Sequence, residues 1–390
     1  MNILQVTPFY PPHVGGIERH VEILSKELAK AGHKVTIYTS NIPKSKTYEV
    51  LDNIEIYRFK SLFSLLNNQF VLGCFPKLVG NSDNFDVIHA HGYLHFSSNL
   101  VAFSRIFKFK KRPIVLTTHG TEVGYQGWKN LVERAYRKSV GLFMLKLFDK
   151  VIALSLEEAN LLEKMGISRS KIEVVPNGID LRQVNSEVDI QDFMQRYGLD
   201  YNYENILLFV GSLIPRKGIN FLIDAMKHIE SNTALLIVGE EIPGYAGFRK
   251  ILEQQVRKLG LENRVIFLGR VSKEDLERAY IVADLLILPS ISEVFGLVLI
   301  EAMSYGKCVV ASKTLGPSSI IQNYRNGVLF EVCNTLQLAE EVNYLLENPK
   351  LRKRLGRKAK RDVEKRYSLE VVVNRIIDIY EELVSNEGAL

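Results

Sequence analysis

Two carboxylates eight residues apart, Glu293 and Glu301, bracket the stretch of the chain with the clearest potential for chemistry. A buried-strand pattern ends just before them at residue 289, and a turn of small residues then runs into an apolar helical pattern. The first amides of a helix have no intrahelical acceptor, so this arrangement predicts an anion site. Carboxylates beside a bound anion make sense if they bind hydroxyl groups of the same ligand.

A nucleotide sugar is a ligand of this kind, because its diphosphate lies between a ribose and a hexose. We expect the helix to begin near Phe295, Gly296 and Leu297, whose amides would face the anion. Glu301 then falls on the second helical turn, and Glu293 lies in the loop ahead of it. The simpler alternative is a pair of surface glutamates.

A second anion-binding pattern follows another predicted strand, at residues 210–218. It contains Gly211, the adjacent cations Arg216 and Lys217, and Gly218 at the start of a helix. Arginine can bind two phosphate oxygens at once, and lysine supplies a compact charge. The pattern favours a diphosphate site, although cations at loop ends are often only solvated.

The loop after the first strand carries Gly15 and Gly16 ahead of a helix. Paired glycines let the backbone approach a ligand closely, but a plain flexible loop is the alternative. The dinucleotide-binding fingerprint G-x-G-x-x-G is missing, so the sequence gives little support to the hypothesis of a hydride-transferring enzyme.

Histidines follow two other strands of the first half. His119 ends one of them and could hydrogen-bond a substrate hydroxyl, although a lone histidine is more often structural. His89, His91 and His95 suggest metal ligands, but His95 lies beyond the turn and no carboxylate has ligand spacing. We expect no metal site, with His91 in a cleft and His89 packed in its strand. No Asp-x-Asp loop is present to carry a divalent cation.

Short apolar runs alternate with helix-period segments, which predicts an α/β fold with parallel sheets covered by helices. The first half should hold strands at residues 2–6, 34–40, 54–58, 87–90, 114–118, 150–153 and 172–175. The second half should hold strands at 206–210, 234–238, 265–268, 285–288 and 308–311. Helices are expected at 17–31, between the later strands and at 369–384.

We therefore expect two domains. Residues 1–182, joined by the last helix (369–390), would form the first, and residues 200–365 the second. Ligands of open α/β sheets bind outside the carboxyl ends of the strands, where all the motifs above lie.

Composition is that of an ordinary globular protein of 390 residues, with 46% hydrophobic and 24% charged residues. Three cysteines without C-x-x-C spacing argue against a disulfide framework or structural zinc. We expect a cytoplasmic protein without a secretory signal or a membrane-spanning segment.

The net charge of +6 comes from one region. Residues 105–150 hold 11 basic and 3 acidic residues. Aromatic residues lie within this region or just before it: Phe103, Phe107, Phe109, Trp128, Phe143 and Phe148. A solvated basic face is the simplest interpretation, and peripheral contact with an anionic membrane is the main alternative. Nucleic acid is not favoured, because no nucleic-acid-binding motif accompanies the charge.

Taken together, these motifs resemble glycosyltransferase family 4, a group of retaining enzymes with the GT-B fold. Residues 293–306 match its E-x7-E pattern, and 210–218 is similar to its diphosphate loop. Gly15-Gly16, Thr118-His119, residues 175–180 and residues 283–290 also match in order. The resemblance implies two Rossmann-like domains facing across a cleft, with an acceptor-binding first domain, a donor-binding second domain and a C-terminal helix crossing back to the first.

The resemblance also implies residue roles. Glu301 would bind ribose hydroxyls, and Glu293 would bind hydroxyls of the donor sugar, assisted by the backbone of residues 295–297. Arg216 and Lys217 would hold the diphosphate as it leaves. His119 would contact the donor sugar, Gly16 would bring amides to the same cleft, and the backbone around Val271 would read the base.

Two positions depart from the family pattern. In the diphosphate loop, Ser212 occupies a position where the family often has arginine, and Arg216 could supply the missing charge. After Gly306, Lys307-Cys308 replaces the small residue and proline that are common in the family.

The implied activity is metal-independent transfer of a hexose-type sugar, with retention, from a nucleoside diphosphate sugar to an unidentified acceptor hydroxyl. Front-side attack and no cofactor are expected. The acceptor could be lipid-linked, which would place the enzyme at the inner face of the cell membrane in glycolipid, polysaccharide or other glycoconjugate synthesis. The alternatives are a sugar-nucleotide epimerase of the same fold and a catalytically weak nucleotide-sugar-binding protein. A phosphorylase would need a pyridoxal lysine, for which the sequence offers no context.

Overall fold

The computed structural model describes residues 1–13, 15–65, 68–107, 112–120, 131, 135–184, 188–199, 203–242 and 244–387. The chain divides into two compact units. Unit 1 comprises Met1–Gly178 and Glu370–Leu390, and unit 2 comprises Ile179–Leu369.

Unit 1 is built on an eight-stranded sheet of order β10-β9-β8-β7-β1-β2-β4-β3. Its strands are β1 (Asn2–Val6), β2 (Lys34–Ser40), β3 (Tyr48–Leu51), β4 (Ile54–Phe59), β7 (Val87–His91), β8 (Ile114–Thr117), β9 (Lys150–Ala153) and β10 (Ile172–Val174). A separate small hairpin pairs β5 (Ser64–Leu65) with β6 (Asn68–Gln69). The order reverses between β1 and β7, so their carboxyl ends form the switch point where α/β sheets bind ligands.

The α-helices that the structure describes in unit 1 are Gly16–Lys30, Cys74–Asn81, Phe96–Phe107, Leu142–Lys146, Leu156–Lys164 and most of Leu369–Glu387. A π-helical turn, Arg137–Gly141, precedes the fourth of them, and short 3₁₀ turns span Ser82–Asn84 and Arg169–Lys171.

One edge of this sheet differs from the all-parallel expectation. β3 pairs antiparallel with β4 through the turn residues Asp52 and Asn53, whose φ angles are +50° and +63°. Two consecutive left-handed residues make the tight hairpin turn that Asp and Asn tolerate best. The sequence signal for this hairpin is the Asp52-Asn53 pair between the short strand-like segments 48–51 and 54–59.

The last helix, most of which belongs to unit 1, buries one face, as its apolar spacing predicted. Val372, Ile376, Ile379 and Tyr380 are each at most 2% exposed. Leu383, the fifth member of the predicted face, is only half-buried.

Unit 2 contains a six-stranded parallel sheet of order β13-β12-β11-β14-β15-β16. Its strands are β11 (Asn205–Val210), β12 (Thr233–Val238), β13 (Val265–Gly269), β14 (Leu285–Leu288), β15 (Cys308–Ser312) and β16 (Val328–Phe330). All six residues of β12 are buried, as expected for a central parallel strand covered on both faces. The order reverses between β11 and β14, which places the switch point of this sheet at their carboxyl ends.

The α-helices of unit 2 are Gln191–Arg196, Ile219–Ala225, Phe248–Lys258, Lys273–Val282, Leu297–Ser304, Leu315–Ile320, Thr335–Glu347 and Pro349–Arg366. Short 3₁₀ turns span Leu181–Gln183 and Pro215–Lys217. The described segment 188–199 contains the helix Gln191–Arg196, which is held to this unit by the fully buried Phe193 and an ion pair from Arg196 to Asp275.

The predicted α/β fold with two Rossmann-like sheets is confirmed. β16, a strand of three residues at the edge of the sheet, was not predicted. Cys74 and Cys308 are buried, Cys333 is exposed, and all three are free thiols. Within the described part of the chain, no helix is both long and apolar enough to cross a membrane.

Candidate functional site

The two anion-binding patterns of the second half meet at the switch point of the unit 2 sheet. The loop after β11 holds Gly211, Arg216 and Lys217, and the loop after β14 holds Glu293. Their backbones are joined, because the Ile291 N–H donates to the Arg216 carbonyl at 2.8 Å. Arg216 Nη1 in turn donates to the Ser292 carbonyl at 2.8 Å. Two loops that are distant in sequence therefore act as one surface.

Gly218 allows the two loops to approach this closely. It adopts φ +67° between the 3₁₀ turn and the helix Ile219–Ala225. A Cβ atom built on Gly218 would lie 2.1 Å from the Pro289 carbonyl oxygen. Glycine is thus required here by both backbone conformation and space.

Lys217 and Glu293 form an ion pair, with Nζ and Oε2 2.5 Å apart and side chains 16% and 11% exposed. Burial alone raises the pKa of Glu293, but Lys217, Arg216 and hydrogen bonds from Lys217 and Ser290 outweigh it, so the pKa is lowered. Glu293 is therefore ionised at neutral pH. The family resemblance assigns the two side chains to different groups of the ligand, whereas in the structure they are paired with each other.

The predicted helix start after Glu293 is present. The helix Leu297–Ser304 begins after Gly296, which has φ +91°. Phe295 is buried, and its backbone is packed so tightly against Gly316 that a Cβ there would lie 2.4 Å from the Phe295 nitrogen. The Gly316 N–H donates to the Glu293 carbonyl at 2.9 Å. The first turn of the helix Leu315–Ile320 thereby holds in place the backbone that carries the amides of residues 295–297.

Glu301 lies on the second turn of this helix, as predicted, and is 8% exposed. The Tyr280 hydroxyl donates to its Oε2 at 2.7 Å, and the Tyr280 ring stacks on Tyr305. A carboxylate held in this way is pre-oriented rather than freely mobile. Neither tyrosine was singled out from the sequence.

The remaining unit 2 candidates lie on neighbouring strand ends. Gly211 and Gly239 are in contact, since a Cβ on Gly239 would lie 1.9 Å from the Gly211 carbonyl oxygen. The Gly239 N–H donates to the Gly269 carbonyl at 2.9 Å. Val271 follows two residues later and is half-buried. Gly211, Gly239 and Gly269 thus lie side by side at the carboxyl ends of the neighbouring strands β11, β12 and β13.

In unit 1, Gly16 begins the helix Gly16–Lys30 after Gly15. A Cβ on Gly16 would meet no atom within 4 Å, so its own surroundings do not demand glycine. A Cβ on Gly15 would lie 2.3 Å from Glu18 Oε2, but this atom is the end of a side chain that can move, so packing does not require glycine there either.

His119 follows β8 in a left-handed conformation, φ +50°, and forms a cluster with His91 and His20. Their ligand nitrogens all lie within 4.8 Å of one another. In the sequence, His89, His91 and His95 were the histidines that suggested a metal site. The structure brings a different set of three together. His20 lies on the helix after Gly16, and nothing in the sequence related it to the other two.

One arrangement of protons satisfies the contacts around these rings. Gln5 Nε2 donates to the Tyr380 hydroxyl at 3.2 Å, so Gln5 Oε1 accepts from His91 Nε2–H at 2.6 Å. His91 Nδ1 then accepts from His119 Nε2–H at 3.1 Å. The Tyr380 hydroxyl donates to His89 Nδ1 at 2.5 Å. The C-terminal helix thereby helps to set the tautomer of His119.

Burial keeps these imidazoles neutral. It lowers the pKa of His20 to about 4, and Asn177 opposes the shift only in part. Burial and the neighbouring histidines lower the pKa of His91 and His119 well below the ordinary value. His91 is fully buried rather than lining an open surface, and His89 is packed in its strand as expected.

Glu158 is a buried group that the sequence analysis missed. Its Oε1 accepts from the Thr118 hydroxyl at 2.9 Å, and its Oε2 accepts from the Leu154 N–H at 2.8 Å. Burial raises its pKa, against the hydrogen bonds from Leu154, Thr118 and Gly120. It thus supports the turn that carries His119. The available signal was the Ser155-x-x-Glu158 spacing, a helix-capping pattern.

The basic region is described only in part. Lys108, Phe109, Lys110, Lys111 and Trp128 lie outside the described residues. Phe143 is 55% exposed, as an interfacial residue would be, but Phe148 is 1% exposed. Counting Phe148 among the membrane-contacting aromatics was therefore wrong, since it belongs to the core of unit 1.

Replacing Gly218 with alanine should destabilise unit 2 more than replacing Gly260. Both glycines have nearly the same φ, +67° and +66°, but a Cβ on Gly260 meets nothing within 4 Å. Both variants therefore share the conformational cost of about 1 kcal/mol, and only Gly218→Ala adds overlap with Pro289. We therefore expect Gly218→Ala to lower the free energy of unfolding by about 1–3 kcal/mol more than the same substitution at Gly260. Urea unfolding measures it, and equal losses for the two variants would contradict the proposed contact.

Two family models cover most of the chain. Residues 14–183 match Glycosyltransferase Family 4, and residues 191–362 match Glycosyl transferases group 1. An uncharacterised glycosyltransferase of Methanocaldococcus jannaschii, MJ1178, is 30% identical over 98% of this chain and 99% of its own length. N-acetyl-alpha-D-glucosaminyl L-malate synthase of Bacillus anthracis is 28% identical over 96% of each chain.

Solved structures support the same fold. Anabaena Alr3699/HepE, crystallised with UDP and glucose, aligns with a TM-score of 0.81 at 24% identity, covering 98% of this chain and 100% of that one. A sucrose-phosphate synthase of Thermosynechococcus elongatus aligns with a TM-score of 0.81 at 22% identity, covering 99% of this chain and 100% of that one. The fold is GT-B, and the chain belongs to the group 1 glycosyltransferases of family 4.

Proposed function

We propose that this glycosyltransferase moves a hexose-type sugar from a nucleoside diphosphate sugar to an acceptor hydroxyl, with retention of anomeric configuration and without a metal. The observation that carries the proposal is the site at the switch point of unit 2. It combines two cations, a helix amino terminus and two held carboxylates. A nucleoside diphosphate sugar offers a group to each of these: a diphosphate, ribose hydroxyls and sugar hydroxyls.

The cations have one main task, which is to stabilise charge on the departing diphosphate. The bond between the anomeric carbon and the diphosphate oxygen breaks, and both electrons stay with the diphosphate. The acceptor oxygen forms the new bond to that carbon on the same face, and its proton passes to the leaving phosphate. Lys217 and Arg216 are fixed before the reaction by Glu293 and Ser292, so they need little reorganisation as the charge develops.

Glu293 would serve two partners in this scheme. Its Oε2 accepts hydrogen bonds from Lys217 and Ser290, which leaves Oε1 to accept from a sugar hydroxyl. Its lowered pKa keeps it an acceptor at neutral pH. Glu301, oriented by Tyr280, would bind the ribose hydroxyls.

The remaining roles are proposed from the family resemblance. His119 would contact the donor sugar, Gly16 would offer backbone amides, and the backbone near Val271 would read the base. The UDP bound to Alr3699/HepE makes a uridine donor the first to test here.

For the acceptor, we propose a lipid-linked or phosphate-bearing molecule at an anionic membrane surface. The 11 basic and 3 acidic residues of 105–150 support this, together with exposed apolar side chains such as Phe143 and Val140, which are 55% and 46% exposed. Such a surface would keep the enzyme at the membrane while the chain itself stays outside the bilayer.

A donor screen should identify the base and sugar. Thermal unfolding is followed with UDP-, GDP- and ADP-sugars, and one donor class is expected to raise the Tm, because a ligand bound only by the folded state stabilises it. Transfer from that donor is then measured in EDTA, with and without vesicles containing anionic lipid. We expect activity in EDTA, an α-linked product from an α-linked donor, and a gain on vesicles that high salt removes.

Other outcomes would redirect the proposal. Donor binding without transfer to any acceptor would favour the weak binding protein, and release of an epimerised sugar would favour the epimerase. A rate on vesicles equal to that in solution at low salt would contradict the membrane contact. No Tm change with any nucleotide sugar would contradict the donor site itself.

A further inference from the structure

We propose that His20, His91 and His119 form a binding site for a divalent transition metal ion of the zinc class, and that an ion bound there inhibits sugar transfer. The second part rests on the proposed role of His119, whereas the first does not. The expected reaction uses no metal, so the site would be inhibitory and would take no part in catalysis.

The spacing of the three rings suits such an ion. All three ligand nitrogens lie within 4.8 Å of one another, and His91 Nδ1 is 3.1 Å from His119 Nε2. Zinc–nitrogen bonds of about 2.0–2.1 Å in tetrahedral geometry place two ligands about 3.3 Å apart. Two of the rings therefore already have the required separation, and the third needs a small movement.

A second observation comes from His20. Its Nε2 is buried and has no hydrogen-bond partner among the described residues. A buried ring nitrogen without a partner carries a desolvation cost of roughly 1–3 kcal/mol. A metal ion between the three rings would remove that cost.

The surroundings of His91 supply a third observation. A ligating histidine usually donates its other ring N–H to a carbonyl or carboxylate, which fixes the ring and raises its basicity. His91 Nε2–H donates to Gln5 Oε1 at 2.6 Å, and Gln5 is itself held by Tyr380. His91 Nδ1 thus points at the cluster with its lone pair.

The ligand set selects the class of ion. Three neutral imidazoles suit zinc, cobalt or nickel, whereas magnesium and calcium require oxygen ligands. On binding, His119 would change tautomer, losing the proton on Nε2 and gaining one on Nδ1. Nδ1 would then no longer be free to accept from a sugar hydroxyl, and the bound ion would occupy the space beside it.

The test is zinc binding by the full-length protein without a histidine tag. The exposed thiol of Cys333 is a competing ligand, so every variant carries Cys333→Ser. The protein is freed of metal with a chelator and titrated with zinc against a chromophoric indicator. One equivalent should bind, and cobalt should give the intense visible absorption of a tetrahedral complex. His20→Gln should weaken zinc binding at least tenfold.

His228→Gln is the matched control, because His228 is an exposed histidine of unit 2. It should leave zinc binding unchanged. Circular dichroism and thermal unfolding of His20→Gln confirm that the variant is folded. Binding that is equal in His20→Gln and the parent, or absent below millimolar zinc, would overturn the proposed site.

Activity gives a separate result. Zinc should inhibit transfer in the parent, EDTA should reverse the inhibition, and His20→Gln should need at least tenfold more zinc. Zinc binding at the histidines without inhibition would overturn the regulatory part alone. Zinc binding by a protein with no transferase activity would leave the site intact and refute the proposed function instead.

Discussion

Replacing Lys217 with alanine is expected to reduce the rate of sugar transfer by at least tenfold, and by roughly 10²-fold if it acts as a preorganised charge on the leaving diphosphate. The loss should appear mainly in kcat, because the charge on the diphosphate grows in the transition state. Steady-state kinetics with saturating donor measure it. Transfer at the parent rate would show that Lys217 has no part in the reaction.

The same substitution should also destabilise unit 2. Glu293 is 11% exposed and would lose the cation 2.5 Å from it. Removing one partner of a buried ion pair costs about 3–5 kcal/mol, and the partial exposure of this pair places it at the lower end. A loss of activity in Lys217→Ala alone could therefore reflect misfolding.

The double variant Lys217→Met, Glu293→Gln separates the two effects. It replaces both charges with neutral groups of similar volume, so the free energy of unfolding should return toward that of the parent. Transfer should stay at least tenfold slow, because no charge meets the diphosphate. Recovery of activity along with stability would mean that the pair is structural.

Glu301→Ala should also reduce turnover at limiting donor by at least tenfold, but through KM. Ribose hydroxyls do not react, so their binding energy is the same in the ground and transition states. Tyr280→Phe removes only the hydrogen bond that orients Glu301, and a smaller rise in KM is expected. Equal kcat and KM in Glu301→Ala and the parent would contradict this role.

Replacing Glu158 with alanine should lower the free energy of unfolding of unit 1 by about 3–5 kcal/mol. Glu158 is fully buried, and its removal leaves the Thr118 hydroxyl and the Leu154 N–H without their acceptor. Each buried donor without a partner costs roughly 1–3 kcal/mol, and a cavity adds to this. Urea unfolding measures the loss. Transfer should fall as well, because Thr118 precedes His119.

Glu157→Ala is the control for Glu158→Ala. Both glutamates lie in the first turn of the helix Leu156–Lys164, so both variants lose about 0.3–1 kcal/mol of interaction with the helix dipole. Only Glu158 bonds the turn before His119. Similar losses in the two variants would contradict its supporting role.

The pH dependence of Glu158 has a defined sign. Its pKa is raised in the folded state, so between the unfolded and folded values the native protein binds more protons. Its contribution to stability is therefore greatest at low pH and is lost as pH rises through the folded pKa. Glu158→Gln cannot titrate, so the stability difference between parent and variant should shift with pH in that direction.

Much of this protein is determined by local sequence. The strands before Gly211 and Ser290 are apolar runs bounded by turn residues, and the helix after Gly296 follows from its apolar spacing, so each could be placed from its own residues. The family could be recognised because its motifs are short and continuous. The antiparallel edge and β16 were missed where the signal was a two-residue turn or a three-residue strand.

Tertiary structure decided which side chains meet. Lys217 and Glu293 are 76 residues apart and pair because β11 and β14 are neighbours in the sheet. His20, His91 and His119 come together because a helix begins where two strands end, and burial keeps the three imidazoles neutral. Glu158 reaches the Thr118 turn by the same means. Sequence spacing carries periodicity and turn chemistry, but distances between separate elements, and the charge states that depend on them, exist only once the chain has folded.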